Sequence, residues 1–250
     1  MVNVTVLEIK KVLHHAEVTL YPTLLQVGGR NYLIDCGYEE TFDEFVAALA
    51  SKGVQVKELH AILLSHDDID HLGALPLFKQ ANQALLVYCS ESEAPSVVGQ
   101  VKSERLQQAE QLLPTIAPEN QGWALAFINQ LQGIKRIAID FTLRDNDRIE
   151  NEIVVVATPG HTKGHLSFHL PSQKILIAGD ALVIENGELA LANPAFTLDI
   201  QEALRSVEKI SRLKPEKVIC YHGGVSEHNL AGGLRDLLLK HRTHHYTQAK

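Results

Sequence analysis

The sequence predicts a layered domain of mixed α and β structure, and three observations carry that expectation. Short β-branched runs bounded by Gly, Pro, Asn or Asp recur along 250 residues. Segments with helical periodicity alternate with them, and no linker or low-complexity stretch divides the chain. At 45% apolar and 21% charged residues the chain has enough hydrophobic material for a sizeable core.

In chain order, strands are expected at 3–9, 23–27, 31–36, 60–65 and 84–89, then at 136–140, 152–158, 165–170, 174–180 and 217–222. The first helix is expected over 41–53, where Phe42, Phe45, Val46 and Leu49 share a face and Gly53 supplies the stop. Helices over 103–113, 121–133, 199–213 and 229–241 follow from the same period. Between 91 and 135 there is no strand signal, and Pro95, Pro114 and Pro118 punctuate polar helices. We therefore expect a single domain over 1–250 with a helical insertion at about 91–135.

Composition narrows the function. A net charge of −7 without a lysine/arginine run argues against nucleic acid as a partner. No run approaches the length of a membrane span, and the N-terminal residues lack the pattern of a signal peptide. Cys36, Cys89 and Cys220 are odd in number and widely spaced, which suits reduced thiols in the cytoplasm rather than a disulfide framework.

Chemistry is concentrated where strands end. "SHDDIDHLG" (65–73) follows the apolar run 61–64 and crowds His66, Asp67, Asp68, Asp70 and His71 into six positions. Like charges so close need a compensating cation, and a metal ion is the simplest. Three further strand ends deliver ligand-type residues beside turn-formers: His161 in "ATPGHTKGH", Asp180 in "LIAGD" and His222 in "VICYHGG". One such histidine would be an ordinary surface residue, but four junctions of the same design point to a shared site. Asp35 and Asp67 are candidates to orient the histidine rings.

These pieces, in this order, resemble the metallo-β-lactamase superfamily: "SHDDIDHLG" against its His-x-His-x-Asp-His signature, then "TPGHTKGH", "AGD" and "YHGG", with "NYLIDCG" similar to its early strand ending in Asp-x-Gly. The resemblance implies a four-layer αβ/βα sandwich with metals at one end. It places His66, Asp68 and His161 on one metal, Asp70, His71 and His222 on a second, and Asp180 between them. It also implies hydrolysis by a metal-bound hydroxide, with Asp70 as the catalytic residue that orients it or returns a proton.

The chain departs from the signature at Asp68, where the second histidine is expected. Two outcomes are open: a carboxylate ligand at that position, or one tight and one weak site. Two divalent ions are implied, zinc first, with iron or manganese favoured by the harder ligand. The reading is a metal-dependent hydrolase of a small ester-like substrate such as a lactone or thioester. The alternative is an iron-dependent oxidoreductase resembling flavo-diiron proteins or persulfide dioxygenases. Lactonases of the superfamily carry a tyrosine where this chain has Val183, and no basic cluster suited to glutathione is evident. His165 is expected in a structural hydrogen bond and Cys220 in the core. Trp123 and Phe127 are expected either to line a pocket or to pack the insertion. His14, His15, His60 and His228 show no partner pattern, and His241, His244 and His245 are expected in a solvated tail.

Overall fold

The structure, a computed structural model, describes residues 2–13 and 16–247, with side chains as far as residue 241. His14 and His15, and the side chains of His244 and His245, lie outside the described residues. The first half runs β1 (Asn3–Val6), β2 (Ile9–Leu13), β3 (Ala16–Leu20), β4 (Thr23–Val27), β5 (Arg30–Ile34), α1 (Phe42–Ser51), β6 (Leu59–Leu63), α2 (Ile69–Leu72), α3 (Leu75–Ala81) and β7 (Leu86–Ser90). Next come α4 (Ala94–Val97), α5 (Glu104–Leu112), α6 (Gln121–Gln132), β8 (Phe141–Leu143), β9 (Arg148–Ile149) and β10 (Ile153–Ala157). The remainder is β11 (Leu166–Leu170), β12 (Ile175–Gly179), β13 (Val183–Glu185), β14 (Glu188–Ala190), α7 (Ile200–Leu213), β15 (Lys217–Cys220), β16 (Gly224–Ser226) and α8 (Leu230–Thr247).

Strand parity builds the layers, because successive side chains on a strand leave on opposite faces. Leu25, Tyr32, Ile34, Ala61 and Leu63 meet Phe168, Ile177 and Ile219 between two six-stranded sheets. Their neighbours Leu24, Leu33, Ile62 and Leu64 face outward onto Phe45, Leu49 and Phe78 of α1 and α3. On the other sheet Leu176, Ala178, Val218 and Cys220 pack against Val207, Ile210 and Leu234 of α7 and α8. Helix, sheet, sheet, helix is the expected four-layer αβ/βα sandwich, and Cys220 belongs to its core.

Topology brings the site together. The sheet orders are β1-β4-β5-β6-β7-β8 and β16-β15-β12-β11-β10-β9. In the first, β5, β6 and β7 run parallel. In the second, β10 and β12 each lie antiparallel to β11, and β15 lies parallel to β12, so β10, β12 and β15 end at one edge. The Leu166 amide donates to Ser65 O at 2.8 Å, tying that edge to the end of β6.

Several elements differ from expectation. The strand expected over 3–9 breaks at Leu7, whose amide donates to Pro22 O, and β2 pairs with β3 as a separate hairpin. The strand expected over 136–140 begins only at Phe141, because Asp140 takes the Val87 amide through its carboxylate and returns its own amide to Val87 O. β13 and β14 form a hairpin across Asn186 (φ 52°) and Gly187 (φ 80°), the Asn-Gly turn whose left-handed pair matches strand twist. Val46 is half out of the α1 face, and α8 continues past 241 to Thr247.

Candidate metal centre

Each loop at the common edge is shaped to present its side chains inward. Ser65 and His66 follow β6, and Asp68 precedes α2, which carries Asp70 and His71. His161 leaves the loop after β10 beside Gly160, whose φ of 136° and close approach to the start of α7 (an added Cβ would lie 2.2 Å from Ala203 N) demand glycine. Asp180 follows Gly179, where a Cβ would collide with His165 and Ser65. His222 follows β15.

The seven side chains expected from the sequence converge. His66, Asp68 and His161 form one group whose donor atoms lie within 4.8 Å of one another, and Asp70, His71 and His222 form a second. Asp68 Oδ2 is 3.5 Å from His66 Nε2 and 3.1 Å from His161 Nε2. Asp70 Oδ2 is 3.1 Å from His222 Nε2. Asp180 lies between: Oδ1 is 3.5 Å from His71 Nε2, while Oδ2 is 3.6 Å from His161 Nε2 and 3.5 Å from His222 Nε2. Among the described residues, His66 Nε2, His71 Nε2 and Asp180 Oδ1 are buried with no hydrogen-bond partner. Buried polar atoms are ordinarily satisfied, so lone pairs left bare around one point fit a cation.

The electrostatics of these side chains agree. Burial works against ionisation of Asp180, yet His222 and His71 hold its carboxyl well below the usual range. Burial likewise opposes charge on Asp68 and Asp70, yet Arg105 with His161 and His66 keeps Asp68 low, and His71 with His222 keeps Asp70 low. Desolvation resists charge on His71, but Asp70, Asp180 and Asp35 raise it well above an ordinary imidazole. His222 is raised by Asp180 and Asp70 against the same opposition from burial. Any cation held here must displace those protons. Apparent metal affinity is therefore expected to keep rising with pH above about 6.5, where unperturbed histidines would already be neutral. Indicator titrations across roughly pH 6 to 8.5 check this, and a curve already flat at about 7 would contradict it.

The supporting shell is partly as expected. Asp35 Oδ2 lies 2.9 Å from His71 Nδ1, aiming Nε2 into the centre. His165 is structural: its Nε2 accepts the Asp180 amide at 2.9 Å and its Nδ1 lies 2.9 Å from Thr158 Oγ1, so both ring nitrogens are engaged. Among the described residues Asp67 pairs with no histidine. It accepts from Ser96 Oγ, and burial together with Asp68 pushes it up to about 6.

Three contributors had no signal in the sequence. Arg105 of α5 pairs with Asp68, Nη2 to Oδ2 at 2.7 Å. Tyr221 packs on His71 with ring centroids 4.1 Å apart and planes tilted by 36°, and it donates to Asp70 O at 2.8 Å. Tyr38 lines the cavity over the centre, its phenol pushed up by burial and by Asp70, Asp68 and Asp180. That cavity, about 320 Å³, has apolar walls from Phe127, Leu131, Val183 and Phe196. Phe127 therefore lines the pocket, while Trp123 stacks on it from outside at 62% exposure.

Residues 21–222 match the family model of the metallo-beta-lactamase superfamily, and the chain belongs to that superfamily. It is similar to the probable metallo-hydrolase YflN of Bacillus subtilis, 27% identical over 209 residues that cover 76% of this chain and 74% of that protein. A shorter match, 36% identical over 86 residues, covers 33% of this chain and 31% of a hydroxyacylglutathione hydrolase from Fuscovulum blasticum. In fold it is similar to the metallo-beta-lactamase family protein TTHA1429 of Thermus thermophilus, with a TM-score of 0.72 and 22% identity over 98% of this chain and 79% of that one.

Proposed function

We propose that the chain is a dinuclear metal-dependent hydrolase of a small ester-like substrate, a lactone, thioester or related bond. The observation that carries this reading is the ring of buried, unpartnered donor atoms on His66, His71 and Asp180, flanked by Asp68, Asp70, His161 and His222. Divalent ions there would supply a lowered water pKa and polarisation of the scissile carbonyl.

The protein's own part is positional and electrostatic. Asp70 is partly exposed to the cavity and held ionised, so it can accept a proton from an attacking water and return it to the leaving group. The walls from α6 and the loop at 191–197 exclude water and hold an apolar acyl portion. The insertion thus serves as a roof within one working domain. The hydroxyacylglutathione hydrolase match lends support to an acyl substrate, although no basic cluster suited to glutathione lines this cavity.

Zinc is the metal we favour. The extra carboxylate at 68 is the residue that would favour iron, and its charge is answered by Arg105. The net charge of −7 supports a small-molecule substrate over nucleic acid. Among the described residues no helix is long and apolar enough to cross a membrane. The buried free thiols support the cytoplasm as location.

The test is elemental analysis of the native protein followed by a panel of lactones, thioesters and phosphodiesters. Colourless protein with zinc or manganese that cleaves a lactone or thioester is the expected result. Stoichiometric iron with oxygen-dependent turnover would overturn the hydrolase reading.

A further inference from the structure

We propose that Arg105 is a resident cation of the His66–Asp68–His161 half of the centre, making that half the weaker, exchangeable metal position. This rests on the dinuclear reading above. The guanidinium comes from the first turn of α5 and its side chain is only 2% exposed. Nε donates to Asp68 Oδ1 and Oδ2 at 3.1 and 3.2 Å, and Nη2 donates to Oδ2 at 2.7 Å. Oδ2 is the same oxygen that faces His66 and His161, so the guanidinium already engages the atom offered to a metal. Nη2 also stands 3.3 Å from His161 Nε2.

The group is fixed rather than opportunistic. Nη1 donates to Gln108 Oε1 at 2.7 Å, and the guanidinium carbon lies 5.5 Å from the centre of the Phe196 ring. The other half differs. Among the described residues, the ion-pair partners of Asp70 and Asp180 are histidines alone.

The direction of the effect follows from both end states. Without metal, Arg105 satisfies a buried carboxylate that would otherwise be costly. With metal, the same guanidinium is a like charge at short range in a medium of low dielectric. Both terms weaken binding at this half. Asp68 and Arg105 together carry no net charge, as a neutral histidine would, so Arg105 offsets the charge that distinguishes this chain's signature.

Zinc titration of chelator-treated protein, followed by calorimetry and by competition with a chromophoric chelator, tests the assignment. Wild type is expected to bind two equivalents in separated steps. Arg105→Gln should tighten the weaker step by about tenfold or more and leave the tighter one within about threefold, while Arg105→Lys should stay weak. Should Arg105→Gln fail to fold by circular dichroism, Asp68→His/Arg105→Met is compared with Asp68→His alone, and the double variant must bind the second zinc about tenfold more tightly than the single one. Two equal steps in wild type, or a weak step unmoved by loss of the guanidinium, would overturn the proposal. A wild-type protein that takes up no zinc would overturn the metal centre itself.

Discussion

Asp180→Ala is expected to strip at least one equivalent of metal from the protein and to abolish hydrolysis. The carboxylate stands between the two groups of donors, Oδ1 toward His71 and Oδ2 toward both His161 and His222. Among the described carboxylates, Asp68 pairs with histidines of one half and Asp70 with those of the other, while Asp180 pairs with both. Alanine removes the shared anion and leaves three imidazoles around a gap; against the opposition of burial, Asp180 is the first cause that raises His222 and, after Asp70, the second that raises His71. A second cation close to the first would lose the negative charge that screens their repulsion. Elemental analysis and turnover on the substrate found by the panel are the measurements. Full metal content with unchanged activity would remove Asp180 from the centre.

Much of this centre was legible because its information is local. Each donor stands a few residues past an apolar run, and a strand that ends at a turn-former puts its next residues at the sheet edge whatever the tertiary detail. The order of layers adds only that β6, β10, β12 and β15 end at the same edge. Asp35 could be anticipated for the same reason, since it closes β5 beside Ser65.

Arg105 could not be read this way. Its meeting with Asp68, 37 positions earlier, depends on how α5 docks, and α5 looks like any amphipathic helix with a charged residue in its first turn. Asp67 fails for the complementary reason. It shares a crowded motif with residues whose donor atoms converge, but the turn into α2 sends it toward Ser96 and Glu93 instead. The β13–β14 hairpin carries a local signal of its own. "ENGE" contains the Asn-Gly turn signal, but the runs on either side of it are only three residues long, too short to stand out as strands.

Asp35→Asn is expected to weaken the tighter metal position by about 10- to 100-fold while leaving the fold intact. Asp35 is fully buried at φ 61°, a backbone conformation that asparagine tolerates as well as aspartate does. Its Oδ1 accepts the Ser65 amide at 2.8 Å, and its Oδ2 accepts Ser65 Oγ at 2.7 Å and faces His71 Nδ1 at 2.9 Å. An asparagine that keeps its oxygen on the fixed Ser65 amide must turn its NH₂ toward His71. Nδ1 then becomes an acceptor, the ring proton moves to Nε2, and the lone pair aimed at the centre is lost. Loss of the charged acceptor should also cost about 1–3 kcal/mol of stability, seen as a lower melting temperature without metal. Nitrogen-15 shifts of the imidazoles report the tautomer directly, and unaltered His71 shifts with wild-type affinity would refute the account. The sign matters as much as the size. Removing a buried charge beside His71 must loosen metal binding, whereas removing one beside Asp68 must tighten it, because Asp35 holds a ligand in its binding form and Arg105 competes for one.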